Sequence, residues 1–277
     1  MKKMVNGFRP LLLCSLMLTC TVTFAAAHPP KSGYKGEELV PIQVASPGYF
    51  DVIGAVSISK VHAGNGYLGV TSSETDTLKQ TNSSNWNSWG GQFGAGYVYF
   101  LGNAQRYSDC WQWFPMLEPE VNLYYDDYKN KGDVLLFGDP ALNDATYNMP
   151  IHSTRLMLDA ALTIVSKREY STYVIAGIGD AWNRVGYSDS ANGSAPCITN
   201  LNLSNHSSSH FVWEVGAGVA YAFNETAGLS FEYLYTDFGR IQTSSNGNTG
   251  TSTPLFSPAS FNLHTQALLL GLHLSVG

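Results

Sequence analysis

A strict alternation of large and small side chains runs through residues 210–239 and constrains the fold more than any other feature of the chain. In an extended strand, alternate residues lie on opposite faces, so one face of this stretch is apolar and the other is made mainly of Gly and Ala. A turn signal at residues 224–227 separates two such runs, which predicts a β-hairpin. The apolar face holds Phe211, Trp213, Val215, Ala217, Val219, Tyr221 and Phe223, then Leu229, Phe231, Tyr233 and Tyr235.

The small face of this hairpin carries one acid in each strand, Glu214 and Glu232. A strand of a soluble β-sandwich buries its large side chains and turns polar ones toward water. Here the small face suits a narrow interior, and the broad aromatic face suits the outside. Because backbone groups in lipid must be paired within the protein, strands cross a membrane only as a closed barrel. The hairpin therefore predicts a transmembrane β-barrel.

The amino terminus has the pattern of a secretory signal peptide. Lys2, Lys3 and Arg9 precede an uncharged apolar run at residues 11–24, and three alanines follow before His28. The run is too short to span a membrane as a helix, so we interpret residues 1–27 as a cleaved signal peptide. Residues 28–47 are rich in Pro and have no clear period. They are predicted to be a flexible periplasmic lead-in, with a plug of the barrel mouth as the alternative.

The charge balance excludes nucleic acid as a partner. The signal peptide contains three cations and no acid, so its removal takes the formal net charge from −6 to −9. An acidic exported chain lacks the excess of Lys and Arg that drives nucleic-acid binding.

From residue 48 to 277 the chain contains eight amphipathic segments, which predict an all-β, antiparallel, up-and-down barrel. Their lengths fit tilted spans of a bilayer. Connections after the fourth and sixth strands are short, as periplasmic turns are, and those after strands one, three, five and seven are long, as outer loops are. The strands are predicted at 49–61, 91–101, 116–128, 151–165, 171–187, 211–223, 229–236 and 262–276. The outer loops are predicted at 63–88, 129–148, 188–209 and 243–260.

One connection breaks this rule. Residues 102–114 are too many for a periplasmic turn and include Cys110, Trp111 and Trp113, which favours a short extra helix or an interfacial aromatic anchor. The topology puts Cys110 and Cys197 at opposite ends of the barrel. A disulfide needs Cα atoms within about 7 Å, so we expect none between them.

Charged residues of both signs are predicted in the lumen, which eight strands leave barely wide enough for side chains. We interpret them as a structural network in which opposite charges satisfy one another. The alternative is a small pore that opens when Arg155 or Arg184 swings away. The predicted network is Glu118, Glu120, Arg155, Asp159, Asp180, Arg184, Glu214, Glu232 and His273.

The signal peptide, the eight strands, and the segments GQFGAGYVYF and WEVGAGVAYAF together resemble the outer-membrane β-barrel family of opacity-type and OmpA-type eight-stranded barrels of Gram-negative bacteria. The resemblance implies a location in the outer membrane, contact with its lipids and lipopolysaccharide, and insertion by the barrel-assembly machinery. It also implies an assembly signal at Gly271, Leu274 and Val276, where Val276 replaces the usual aromatic residue. Roles in envelope integrity, surface adhesion or host interaction are implied as well.

Two enzymatic hypotheses have little support in the sequence. His206 and Ser208 have a spacing found in lipid A deacylases, but they lie in a Ser-rich stretch where such pairs arise by composition. Asp126 and Asp127 resemble the rim acids of omptin-type proteases, yet adjacent residues of a strand point to opposite faces. No catalytic, cofactor or metal site is predicted. We expect a membrane-anchored surface-interaction protein whose outer loops contact the host or environment, with a narrow passive channel as the alternative and a lipid A-modifying enzyme as a weaker one.

Overall fold

The computed structural model describes residues 48–71, 73–101, 105–106, 112–113, 116–167, 169–192, 201–248 and 257–276. The predicted signal peptide and lead-in, Cys110 and Cys197 lie outside these residues. In chain order the strands are β1 (Tyr49–Ala63), β2 (Gly66–Gly69), β3 (Thr75–Gln80), β4 (Ser88–Phe100), β5 (Gln105–Arg106), β6 (Gln112–Trp113), β7 (Met116–Leu135), β8 (Asn143–Lys167), β9 (Tyr170–Ala191), β10 (Asn202–Ala222), β11 (Ala227–Gln242), β12 (Gly247–Asn248) and β13 (Ser257–Val276). A 3₁₀ turn at Leu136–Gly138 joins β7 to β8. None of the helical structure in the described residues is long and apolar enough to cross a membrane.

Eight long strands form a closed antiparallel barrel, as predicted. Each of β1, β4, β7, β8, β9, β10, β11 and β13 pairs with the next, and β13 pairs with β1 to close the ring. The shear of the barrel is ten residues, because a path through paired residues that leaves β4 at Trp89 returns to the same strand at Tyr99. The path passes through Ile58, Leu268, Tyr233, Ala217, Val174, Leu162 and Leu117. Such a barrel has strands tilted by about 40° and a lumen filled by side chains.

The outer wall carries an apolar band. Large side chains face outward and are exposed in each of the eight long strands, for example Val56 at 62 % and Leu158 at 60 %. About ten residues up each strand the outward side chains become polar, which matches an apolar band about 25 Å tall. Aromatic side chains mark its outer edge: Trp89, Tyr125, Trp182, Trp213 and Tyr235. The first polar outward residues above it are Lys60, Asp127, Thr154, Arg184, Ser209, Asp237 and Gln266.

Beyond this band six strands continue outward and form a second level of sheet, which we call the outer tier. It consists of the outer ends of β7, β8, β9, β10, β11 and β13, the hairpin β2–β3, and β12. The hairpin fills the space above the shorter β1 and β4, because β2 pairs with β13 and β3 pairs with β7.

The prediction that these four outer segments are loops is wrong in part, because strands of the outer tier occupy part of each. The segments were predicted at 63–88, 129–148, 188–209 and 243–260. Alternation continues there with its polarity reversed: apolar residues such as Tyr147 and Leu203 point inward and polar ones face water. The high Ser and Asn content hid this pattern. Likewise, the described parts of the 102–114 connection are the short strands β5 and β6 rather than a helix.

Candidate functional site in the lumen and at the outer rim

The lumen has an apolar outer part and a polar periplasmic part. Twelve side chains of the outer part are each at most 3 % exposed and belong to one contiguous cluster, which we call the apolar plug. These side chains are packed so closely that water reaches almost none of their surface. Its members are Val61, Leu68, Leu78, Tyr128, Val134, Met149, Ile151, Val185, Phe238, Ile241, Phe261 and Leu263.

Arg155 lies at the boundary between the two parts. Its Nη1 donates to Glu214 Oε2 at 2.8 Å and to Thr236 Oγ1 at 2.9 Å, and its Nη2 lies 3.1 Å from Asp126 Oδ2. The guanidinium also covers the Tyr124 ring, 4.3 Å from its centroid. Among the described residues it is the one buried Lys or Arg side chain. It therefore joins strands β7, β8, β10 and β11 through one cation.

Carboxyl groups below Arg155 rely on neutral donors. The Asn122 Nδ2 group donates to Glu120 Oε2 at 2.8 Å and to Asp159 Oδ2 at 2.7 Å, so one amide links two acids. The Tyr124 hydroxyl donates to Glu214 Oε1 at 3.0 Å and lies 3.5 Å from Asp159 Oδ2. These contacts connect the acids into one network with the arginine.

A second set of contacts lies closer to the periplasm. His273 Nδ1 is 2.6 Å from Asp51 Oδ2, and its Nε2 is 2.9 Å from Ser230 Oγ. The Tyr173 hydroxyl donates to Glu232 Oε1 at 2.7 Å. Strands β1, β9, β11 and β13 are thereby tied together across the lumen.

Inward glycines make room for these side chains. A Cβ atom at Gly177 would collide with the Asp159 carboxylate, and one at Gly94 would collide with the Asn122 side chain. At these two positions a small residue is therefore required, because the glycine faces a large polar side chain of the neighbouring strand.

The structure places seven of the nine predicted network residues inside the barrel: Glu118, Glu120, Arg155, Asp159, Glu214, Glu232 and His273. Whether they serve a function beyond packing stays a prediction.

The placement of Asp180 and Arg184 in the lumen is wrong. Both are exposed on the outer wall, together with Trp182, which is 50 % exposed. The cause is a shift of one residue in the alternation of β9, whose inward residues are Tyr173, Ile175 and Val185. Both faces of β9 contain apolar residues at its centre, so its own period does not determine the inner face.

Tyr124 and Tyr173 were missed as lumen residues. Tyr124 lies between Asn122 and Asp126, so the alternation of β7 already places it inside. Tyr173 lies in a part of β9 where both faces carry large residues, and only its pairing with strands β8 and β10 reveals its direction.

The outer tier contains one buried carboxyl group, Asp76, and one half-buried carboxyl group, Asp189, outside the membrane-spanning part. Asp76 on β3 is 4 % exposed and accepts a hydrogen bond from the Phe137 N–H at 3.1 Å. Burial raises the pKa of this carboxyl group to about 6. Asp189 on β9 accepts from the Tyr187 hydroxyl at 3.0 Å and from the Leu201 N–H at 2.7 Å, and burial raises its pKa as well.

Neither enzymatic hypothesis finds its predicted pair of residues assembled as a catalytic site among the described residues. Asp126 faces Arg155 in the lumen, whereas Asp127 faces outward and lies 3.5 Å from His152 Nδ1. Ser208 Oγ is 2.9 Å from Nε2 of His210 rather than paired with His206. In the part of the chain that the structure describes, no group of three or more His, Cys, Asp and Glu side chains is arranged to hold a metal ion.

The residues of the implied assembly signal lie on β13. Gly271 points inward against Ser230 Oγ, while Leu274 and Val276 face outward and are 46 % and 38 % exposed. Their use by an assembly machinery stays a prediction.

A closed barrel with an apolar outer wall is an outer-membrane architecture, and the family comparison agrees with it. Residues 43–271 match the family described as outer membrane protein beta-barrel domain. The chain belongs to this family. It is therefore an integral protein of the cell outer membrane, as its sequence predicted. Among curated proteins no match is found.

Solved structures with a similar fold are outer-membrane barrels. Neisserial surface protein A is 16 % identical with a TM-score of 0.37, and the match covers 81 % of this chain and 96 % of that one. Ail, the attachment invasion locus protein of Yersinia pestis, is 11 % identical with a TM-score of 0.34, covering 83 % and 100 %. The outer membrane protease OmpT of Escherichia coli is 9 % identical with a TM-score of 0.46, covering 87 % and 99 %. At these identities the likeness concerns the fold alone.

Proposed function

We propose that this protein is a membrane-anchored surface-interaction protein, in which the barrel is a closed anchor and the outer tier presents binding loops. The apolar plug is the observation that carries this proposal. A lumen closed by twelve buried apolar side chains gives ions no wet path, so the plug argues against the narrow passive channel.

The outer tier is braced as a scaffold for recognition would be. The Gln80 Nε2 group donates to the Val61 carbonyl at 2.7 Å, and Gln80 Oε1 accepts from the Ala63 N–H at 2.8 Å, which fastens the β2–β3 hairpin to β1. The Asn82 side chain donates to the Lys129 carbonyl at 2.6 Å and accepts from the Lys131 N–H at 3.0 Å. Loops held on a rigid scaffold are common binding elements because little entropy is lost on binding.

The β7–β8 connection, residues 136–142, supports a contact role most directly. Phe137 is 63 % exposed and has a φ of 54°, a backbone conformation that is unfavourable for a bulky residue. Leu142 beside it is 39 % exposed. An apolar tip held outward in a strained conformation suits contact with the surface of another cell or protein.

The test uses bacteria that display the protein at equal levels and lack other adhesins. We expect the wild-type chain to confer binding to cultured epithelial cells or matrix proteins, and replacement of residues 136–142 by a Gly-Ser segment of equal length to remove most of it. Replacement of residues 223–226, the periplasmic turn, is the matched control and should leave binding intact. Absence of binding by the wild type, or an unchanged level after replacing 136–142, would contradict the proposal.

A further inference from the structure

Two histidines face each other across the strands that close the barrel. His62 on β1 is paired directly with His264 on β13, so the two side chains come from the first and the last long strand of the ring. Their imidazole rings are stacked, with centroids 5.2 Å apart and planes 10° from parallel. This histidine pair therefore brings together strands from opposite ends of the described sequence.

The pair lies on the outer wall just above the apolar band. His62 is two residues beyond Lys60 on the outward face of β1, and His264 is two residues beyond Gln266 on the outward face of β13. Lys60 and Gln266 are the first polar outward residues above the band. Both histidines are half-buried, so the pair is accessible from the water outside the membrane.

One ring nitrogen of the pair lacks a partner. The Nε2 atom of His62 is shielded from water and forms no hydrogen bond with the described residues. A buried nitrogen without a hydrogen bond costs free energy, so an unpaired one in a native structure needs an explanation. A metal ion bound to this nitrogen supplies the missing partner, because neutral imidazole is a common metal ligand.

The geometry of the pair allows both rings to bind one ion. Two nitrogens bound to one tetrahedral Zn²⁺ lie roughly 3.3 Å apart, because each Zn–N bond is about 2.0–2.1 Å long. Rings whose centroids are 5.2 Å apart reach this separation when their nitrogen-bearing edges tilt toward each other. The torsion χ2 of histidine is broad, so this tilt costs little. The remaining coordination positions are left for water.

The charges around the pair permit a bound cation. Asp237 lies directly opposite His264 on β11 and adds a negative charge to the same wall. Its Oδ1 atom accepts from the Gly239 N–H at 2.7 Å, so the backbone holds the carboxylate. Among the described residues it does not complete a three-ligand site with the histidines. The Lys60 ammonium group lies 4.7 Å from the centre of the Trp86 ring, an aromatic face that attracts its charge.

We propose that His62 and His264 together bind one divalent transition-metal ion, such as Zn²⁺, which ties the closing strands of the barrel at the outer membrane surface. Two imidazoles select ions of this class, since Mg²⁺ and Ca²⁺ prefer oxygen ligands. The two ligands meet only when β1 pairs with β13, so the ion binds the folded barrel and stabilises it. The site is separate from residues 136–142, so it stands or falls independently of the proposed surface interaction.

The test measures how Zn²⁺ changes the urea unfolding of the folded mature chain in detergent micelles, followed by tryptophan fluorescence. Above the dissociation constant, each tenfold increase in free Zn²⁺ should raise the ratio of folded to unfolded protein about tenfold, because one ion binds. His62→Ala and His264→Ala should each lose this response. Unfolding in the presence of a chelator gives the baseline for each variant, so a change in folding is distinguished from a loss of metal binding.

The matched control is the double variant His206→Ala with His210→Ala. It removes two histidines from one face of β10 that are four residues apart, so their Cα atoms are roughly 13 Å apart along the strand and do not share an ion. This control should respond to Zn²⁺ as the wild type does, and Mg²⁺ should stabilise none of the chains. The proposal is overturned if the wild type does not respond to Zn²⁺ or if either single variant still responds. It is also overturned if the control loses the response, or if Mg²⁺ stabilises the wild type as strongly as Zn²⁺ does.

Discussion

Replacement of Arg155 by Met tests the lumen network at its centre. Methionine has a similar length, so it keeps contact with the rings of Tyr124 and Phe238, which lie 4.3 Å and 5.3 Å from the guanidinium carbon. It removes the hydrogen bonds to Asp126 and Glu214, whose buried carboxylates then lose their cation. Breaking a buried ion pair by removing one partner costs about 3–5 kcal/mol, so the free energy of unfolding should fall by that amount.

The assay is urea unfolding of the refolded barrel in detergent micelles, followed by tryptophan fluorescence at constant pH. The matched control is the triple variant Arg155→Met, Asp126→Asn, Glu214→Gln, which removes the two unpaired carboxylates together with the cation. Because neutral amides keep the shape and still form hydrogen bonds, most of the lost stability should return. A single variant within about 1 kcal/mol of wild type would refute the reasoning, since that is the scale of an exposed ion pair. A triple variant no better than the single one would show that packing, not charge, accounts for the loss.

Three further predictions concern other parts of the barrel. Asp76→Asn should flatten the pH dependence of the free energy of unfolding. The folded pKa of Asp76, about 6, lies above the unfolded value near 4, so the stabilisation from this carboxyl group is fully present below pH 4. It is lost as the pH rises through 6, by at most about 3 kcal/mol. Gly177→Ala should destabilise the barrel by about 1–3 kcal/mol in urea, because the new methyl group collides with the Asp159 carboxylate. Leu158→Arg on the lipid face should cost about 2–4 kcal/mol in lipid vesicles, whereas Asn148→Arg on the same face of β8, above the apolar band, should cost little.

The sequence predicts the barrel well because lipid imposes a simple rule on its wall. Outward residues such as Val56 and Leu158 must be apolar, and inward positions such as Gly177 must be small where a large side chain comes from the next strand. Both demands produce a period of two that can be counted. Eight strands and the short turns after the fourth and sixth follow from that count, and the structure confirms them.

The rule changes at the membrane surface, and there the prediction fails. Above the apolar band the outer tier faces water, so polar residues lie outside and Tyr147 or Leu203 inside. A prediction that expects apolar residues on the outward face therefore assigns these strands to loops. On β9 the failure is different. Val174 and Tyr173 are both large, so the inner face follows only from the pairing of β9 with β8 and β10. That pairing brings the Tyr173 hydroxyl to Glu232, a residue 59 positions away. Contacts of that range leave no local signal.

The measurement that tests the closed anchor most directly is single-channel conductance of the refolded mature protein in a planar bilayer. The wild type should be electrically silent, because the apolar plug closes the lumen. The double variant Phe238→Ala, Leu263→Ala, which removes two fully buried side chains of the plug, is the control for detection and should show brief cation-selective openings that draw on the lumen acids. Steady ion-selective openings in the wild type would contradict the account and make the lumen carboxyl groups the functional site.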